Sequence, residues 1–534
     1  MRSTIKTILF ALTALLLFAS MFQKITHLCD LKKLNGVEIP APKPKMTFQT
    51  ISDGSFQDSM ESYLKQNFGF RQPLIRFYNQ YLWDFYKTSN SNWYILTLGK
   101  DGWLYEPWSV EDYYQIHYHK HALDADQMAE QLAGEAKRVY QLQHILEPYG
   151  THLFVCLVPS KDMLYPEHLP ENQDTKYDKD PKMSARFFLK DEYTRLGVNV
   201  LDLGVYFQQM KDTADFTIFP ETGTHWSKYS SLFAADTLIR YMEHLGGINI
   251  RNLVIGPRTL QDAQEADTDL ENLLNLIRPL PRPQYYYATA TSDKDTTAVM
   301  PKMIVIGDSF WWNVIYQIPV QEIFSEFPYW YYNSTIFYDP TYHSVNEINL
   351  VNELFSSDFI ILFYSSTQLY KLNNGFTKKA LFALCYDPEE IESTKAQLEQ
   401  NIRSDSAWIG SLKKRSETQG KPLDEVVHNE AQWLIDNYPE NFFPALKDSI
   451  PTKRSKQVEA YLDDSLAFIE LEVERTVKNI MGSEEQMNAI REKAKQNGKS
   501  LEQAIRDDAH WIVNYKLEQG ILQIPKTPRK RKQI

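Results

Sequence analysis

The chain has 534 residues, 43% of them hydrophobic and 13% aromatic, with a formal net charge of −12. That length suggests two or three units and supplies ample apolar material for a packed core. The acidic balance argues against a nucleic-acid partner, whose phosphates require a basic footprint, and the three widely spaced cysteines, Cys29, Cys156 and Cys385, form no CxxC-type metal motif.

The first residues read as a targeting segment. Arg2 and Lys6 precede an almost wholly apolar run, Ile8 to Phe22, with no convincing small-x-small cleavage site after it. The run is short for a spanning helix but within range if its flanks are counted. We expect residues 1–24 to be an uncleaved signal anchor, with a cleaved signal peptide as the alternative. Lys24, Lys32 and Lys33 follow the run, so charge bias gives little orientation. Residues 25–45 end in Pro-Ala-Pro-Lys-Pro-Lys, a stiff extended linker. The body is then expected outside the cytoplasm, single-pass in the inner membrane and facing the periplasm.

From 46 to 376 the chain alternates helical and strand patterns. His117-Tyr-His-Lys-His121 puts three imidazoles on one face if extended, but no fourth ligand is evident nearby and we assign no metal. Gln127–Leu146 has a long amphipathic period. Buried-strand runs cover Thr151–Val158, which holds Cys156 as a buried thiol, then Gly197–Leu203, Lys302–Ile306 and Asp358–Tyr364. Apolar strands separated by helices predict an α/β layered sheet, mostly parallel, with chemistry at the carboxyl ends of its strands. Those ends carry Pro159-Ser-Lys161, Asp202, Gly307-Asp-Ser-Phe310 and Tyr364-Ser-Ser366.

Residues 377–534 change character, becoming charged and helical in period. An internal repeat appears at an offset of 78 residues: Gly420-Lys-x-Leu423 recurs as Gly498-Lys-x-Leu501, and Ala431-x-Trp433 as Ala509-x-Trp511. We expect an all-helical module with two repeats and a basic tail, serving interaction rather than catalysis.

Two motifs carry chemistry. Ile304-Val-Ile-Gly307-Asp308-Ser309 runs a buried strand into a turn that presents a hydroxyl. A serine hydroxyl needs an adjacent base to act as a nucleophile, and backbone N–H groups at the turn can stabilise an oxyanion. Thr224-His225-Trp226-Ser227, just before an amphipathic helix, supplies a base of the usual kind.

Together these motifs resemble the alginate O-acetyltransferase (AlgX/AlgJ-like) family, of SGNH-hydrolase type. Further stretches agree: Asp53-Gly-Ser-Phe56, Asn67-Phe-Gly-Phe-Arg71, Gly99-Lys-Asp-Gly-Trp-Leu-Tyr105, Val158-Pro-Ser-Lys161 and Tyr165-Pro-Glu-His-Leu-Pro170. The resemblance covers roughly residues 50–375 and excludes the helical repeats. It implies an SGNH-like three-layer sandwich and acetyl transfer to an exported cell-surface polysaccharide. It implies a membrane-bound O-acyltransferase as the acetyl-donating partner, and no cofactor. Carried over, Ser309 is the nucleophile and His225 the base. The family's acid lies two residues before the histidine, where this chain has Gly223. Glu221 is the expected substitute. Without an acid the histidine loses its orientation, so a degenerate glycan-binding or scaffold protein is one alternative. An acetylesterase using the same serine is another. Asn333, Lys161 and Tyr329 are the oxyanion or substrate-binding candidates.

Overall fold

The computed structural model describes residues 2–36, 41–88, 96–114, 125–170 and 184–463, then 469, 472–473, 476–477, 479–481, 484–519 and 521–522. The triple-histidine stretch and the basic tail lie outside these residues.

Six strands form the central sheet: β1 (His152–Val158), β2 (Val200–Asp202), β3 (Met303–Gly307), β4 (Tyr329–Tyr331), β5 (Thr335–Phe337) and β6 (Phe359–Ser365), in the order β5-β4-β3-β6-β1-β2. Every neighbouring pair is parallel except the β4–β5 hairpin, which turns the edge antiparallel. The sheet is therefore mixed. The four strand runs read from the sequence are all present.

Side chains alternate between the two faces of a strand, and both faces are covered here. Leu153, Val155, Leu157, Ile304, Ile306, Ile360 and Leu362 enter one apolar cluster, with Leu132 and Val139 of helix Ala125–Leu146 and Leu189 of helix Ala185–Leu196. Phe154, Cys156, Val158, Met303, Val305, Ile361 and Phe363 enter the other, with Phe207, with Leu238 of helix Lys228–Gly246, and with Trp311 of helix Phe310–Ile315. Near-continuous apolar strands are what burial on both faces selects. The result is a three-layer sandwich, as expected.

Registration brings the functional ends of the strands to one edge. Gly307 pairs opposite Phe363, Ser365 opposite Val158, and Leu157 opposite Asp202. A Cβ on Gly307 would lie 2.2 Å from the Phe363 carbonyl oxygen, so only glycine lets β3 end so close to β6.

At the N-terminus, Arg2–Thr26 is one helix, and its Thr4–Thr26 stretch reaches a mean hydropathy of 2.1. It is long and apolar enough to cross a membrane, as a signal sequence also is. At the other end, helices Pro388–Ser404, Ser406–Gln419, Leu423–Asn437, Glu484–Asn497 and Leu501–Glu518 follow the sheet domain. Gly420 and Gly498 both take left-handed φ, 64° and 63°, where a helix has just ended.

These helices share the first apolar cluster of the sheet domain rather than forming a separate one. Phe355 stacks on Tyr461 with ring centroids 5.1 Å apart. The Gln141 amide donates to the carbonyls of Leu446 and Asp448. Burying one large apolar side chain is worth about 1.5–3 kcal/mol, and a whole domain is stable by about 5–15 kcal/mol. Uncovering a few such side chains would therefore consume most of the stability. A chain ended after Gly375 is expected to aggregate or to melt well below the full protein in a thermal scan; an unchanged melting temperature would show the two parts to be independent.

Candidate active site

The Gly-Asp-Ser turn is built by its neighbours. Asp308 is buried, and its carboxylate accepts from the N–H groups of Ser365 (2.7 Å) and Phe310 (3.1 Å), which ties the end of β3 to the end of β6. Tyr329 is fully buried and its hydroxyl donates to the Asp308 carbonyl. Tyr329 therefore braces the turn from below and does not face a substrate, which corrects the expectation that it binds one. Ser309 follows with φ −60° and precedes helix Phe310–Ile315.

The segment bearing His225 is fixed from two sides. Ser227 caps helix Lys228–Gly246 through its side chain, and Trp226 is fully buried against Phe207 and Phe310. Asn313 donates to the Trp226 carbonyl at 3.0 Å, joining this segment to the helix after Ser309. On the other side Lys161 is buried, and its ammonium donates to the carbonyls of Leu104 (2.8 Å), Glu221 (2.6 Å) and Gly223 (3.0 Å). An ammonium has three N–H donors, so all are spent on backbone. Burial pushes Lys161 down to about 7, against the pull of Asp269, Glu221 and Glu106. Lys161 therefore fixes the loop and leaves no donor for a sugar, which corrects its expected role toward a substrate or oxyanion.

These supports bring His225 Nε2 to 2.8 Å from Ser309 Oγ, across 84 residues of sequence. The other imidazole nitrogen, Nδ1, lies 3.1 Å from a carboxylate oxygen of Asp269. Glu221 is not the acid. Its carbonyl is engaged by Lys161 and by the Leu104 N–H, and the position facing Nδ1 is filled from 44 residues downstream. Asp269 is itself held: its other oxygen accepts from the N–H groups of Thr224 (2.7 Å) and Leu270 (2.8 Å).

Gly223 acquires a physical reason in the same arrangement. A Cβ there would lie 2.9 Å from the Asp267 carbonyl oxygen. The segment that delivers Asp269 crosses directly over Gly223, so the position that carries the acid in the resembling family is empty of side chain here. In the sequence Asp269 was one of five acids between Asp262 and Glu271, with nothing local to single it out.

A carboxylate only accepts, so Nδ1 carries the hydrogen and Nε2 is left to accept the Ser309 proton. Burial works against the charged imidazole, but Asp269, with Glu106 and Asp308 beyond it, outweighs burial and raises His225 above its ordinary value. Glu106 lies beside the site on a cavity wall shared with Thr224 and Phe310, and burial pushes its carboxyl up to about 7. Sequence reading passed over it. Asn333, by contrast, adopts φ 50° and donates through its side chain to the Asn374 carbonyl at 3.1 Å. It stabilises a turn, and its expected role toward an oxyanion finds no support in that contact.

A base-paired serine at a strand-to-helix turn, with the base oriented by a carboxylate, is the arrangement that performs acyl transfer. Residues 96–315, which contain Ser309, His225 and Asp269, match the family model described as SGNH hydrolase-like domain, acetyltransferase AlgX. This segment is similar to the AlgX/AlgJ-like acetyltransferases. The chain is 27% identical over 143 residues to the Probable alginate O-acetylase AlgJ of Pseudomonas syringae pv. tomato. That match covers 27% of this chain and 32% of the relative, so the chain spans about a third of the length of the curated protein it matches. Among solved structures, the O-acetyltransferase domain of Pseudomonas putida AlgJ aligns over 52% of this chain and 99% of its own, at 16% identity and a TM-score of 0.34. Pseudomonas aeruginosa AlgX aligns over 52% and 66%, at 12% identity and a TM-score of 0.32.

Two outcomes follow for an acetyl ester substrate. Asp269→Asn is expected to cut turnover by about 10²–10⁴, the scale of losing a triad acid, while Glu221→Gln stays within about twofold of wild type because its side chain does not orient the base. Restoring the family's residue by Gly223→Asp is expected to lower the melting temperature and the rate together, since its Cβ meets backbone that cannot swing away. The pH profile supplies a separate check. The base works only when neutral, so a raised imidazole places the rising limb of kcat/KM above the ordinary 6.5. Glu106→Gln removes the negative charge that Glu106 carries above about 7 and should move that limb to lower pH; a shift to higher pH, or none, would contradict the electrostatics.

Proposed function

We propose that the protein is an O-acetyltransferase that moves acetyl groups onto an exported cell-surface polysaccharide through an acetyl-Ser309 intermediate. The observation that carries this reading is the continuous hydrogen-bonded chain from Ser309 through His225 to Asp269, within a segment similar to the AlgX/AlgJ-like acetyltransferases. The Ser309 oxygen attacks the donor's acetyl carbonyl while its proton passes to His225 Nε2. Collapse of the tetrahedral intermediate expels the donor's leaving group, which takes that proton. A glycan hydroxyl then attacks the acetyl-serine, gives its proton to His225, and leaves as the acetylated sugar while Ser309 is reprotonated.

The argument for a degenerate scaffold was the missing acid at 223. With Asp269 against the imidazole, that argument loses its ground. The acetyl donor is proposed to be handed over by a membrane-bound O-acyltransferase. We take residues 1–24 as the membrane anchor, 25–45 as the linker and 46–376 as the acyltransferase unit, lying outside the cytoplasm. Residues 377–534 are taken as a duplicated helical module. The matching left-handed Gly420 and Gly498, 78 residues apart, support the duplication.

Incubation with 4-nitrophenyl acetate tests the chemistry. Wild type is expected to release nitrophenol and to accumulate a 42 Da adduct (about the mass of one acetyl group) on the peptide bearing Ser309. Ser309→Ala and His225→Ala are expected to lose both signals. A wild-type protein with neither turnover nor adduct would sink the acyl-transfer reading.

A further inference from the structure

The helical C-terminal part carries a feature that the acyl-transfer site does not use. A cavity of about 410 Å³ opens between helices Ser406–Gln419 and Leu423–Asn437, lined by Arg415, Gln419, Val426, Asn429, Glu430 and Trp433. Small-ligand pockets run from about 300 to 1,000 Å³. Trp433 is 51% exposed there, although Val426, Val427, Ala431 and Ile435 of the same helix are buried. The helix thus has a satisfied apolar face and still leaves a tryptophan in water.

The second copy repeats the ion pair and the exposed tryptophan. At an offset of 78, Arg415 becomes Lys493, Glu430 becomes Asp508 and Trp433 becomes Trp511. Arg415 pairs with Glu430 at 2.6 Å, and Lys493 pairs with Asp508. Trp511 is 65% exposed and stacks on Tyr515, itself 46% exposed, at 5.4 Å and 14°. Other positions between the two copies have drifted: Trp408, whose Nε1 donates to Glu430, corresponds to Gln486. What recurs is an exposed indole beside an ion pair bridging two helices.

We infer that Trp433 and Trp511 are the platforms of two equivalent saccharide subsites, each stacking one pyranose ring of a polysaccharide chain. The inference deepens the proposed function, since it names a hold on the acceptor at a distance in sequence from Ser309. An indole face in water suits the apolar C–H face of a pyranose. The paired acid and base at its edge suit hydroxyls, which both donate and accept. The pair is neutral as a unit, so neither copy offers the surplus of positive charge that a phosphate or nucleic acid needs. Two like sites on one module suit a ligand that repeats, because the second contact then forms at high effective concentration.

Affinity electrophoresis of the full chain, solubilised in detergent, tests the inference with sodium alginate and hydroxyethylcellulose in the gel. Wild type is expected to be retarded by at least one of the two polymers. Trp433→Ala and Trp511→Ala should each weaken retardation at least about threefold and the double variant at least about tenfold, as expected for two linked sites. Trp433→Phe and Trp511→Phe, which keep a flat ring, should retain most of it. Both tryptophans are exposed, so unchanged melting temperatures and unchanged hydrolysis of 4-nitrophenyl acetate will show that each variant is folded. No retardation by either polymer, or a double variant retarded like wild type, overturns the inference. Loss of a co-purifying protein with retardation unchanged would instead make this a protein-docking face. Tryptophan-dependent retardation in a protein that shows no ester turnover would leave the subsites standing and remove the acyl-transfer reading alone.

Discussion

One carboxylate holds the candidate site together. Asp269 accepts from the imidazole of His225 with one oxygen and from the N–H groups of Thr224 and Leu270 with the other, so a single side chain fixes the base, the loop that bears it and the start of its own short helix. Hydrogen bonds to a charged acceptor are each worth about 1.5–3 kcal/mol, and a partner lost from such a set leaves buried donors unpaired. Without this anchor the His225 ring would retain its contact with Phe310, 4.8 Å away, but not its tautomer.

The remaining supports follow from that constraint. For the acid to arrive from 269, its segment must pass over residue 223, which is possible only because 223 has no side chain. For the loop to stay down, its carbonyls at 221 and 223 need donors, and Lys161 supplies them from the end of β1. Burying an ammonium is expensive unless it is paired or fully hydrogen-bonded. Here it is offset in part by three carbonyls and by the rings of Trp103 and Tyr105, 4.9 and 5.1 Å from the nitrogen. The Gly307-Asp-Ser309 turn and the Val158-Pro-Ser-Lys161 stretch, two of the motifs behind the family resemblance, thus carry residues that brace the two catalytic candidates.

The serine side is braced in the same manner. Asp308 spends its carboxylate on the backbone of Ser365 and Phe310, and Tyr329 spends its hydroxyl on the Asp308 carbonyl. Each is a buried polar group satisfied by main chain, which stiffens the turn and leaves the Ser309 hydroxyl to meet His225. The C-terminal helices add a different kind of constraint, since they complete the apolar layer under helix Ala125–Leu146 and so belong to the body energetically.

The sequence by itself determined four of the six sheet strands, the turn and the two residues that face each other. Apolar runs long enough to be buried on both faces located β1, β2, β3 and β6, and their carboxyl ends pointed to Ser309; His225 preceded a helix that its period made plain. These are local signals, set by side-chain alternation and by capping chemistry within a few residues. Which acid completes the set was not local. Five carboxylates crowd the stretch from 262 to 271, and Glu221 was nearer in sequence than any of them. Only the crossing of that stretch over Gly223 selects Asp269, and only the buried ends of the loop reveal Lys161, Tyr329 and Asn333 as donors to backbone carbonyls. Sequence distance sets the entropy of bringing groups together but not which groups meet; that choice was made by packing, where a space without a side chain admitted one chain segment and its carboxylate.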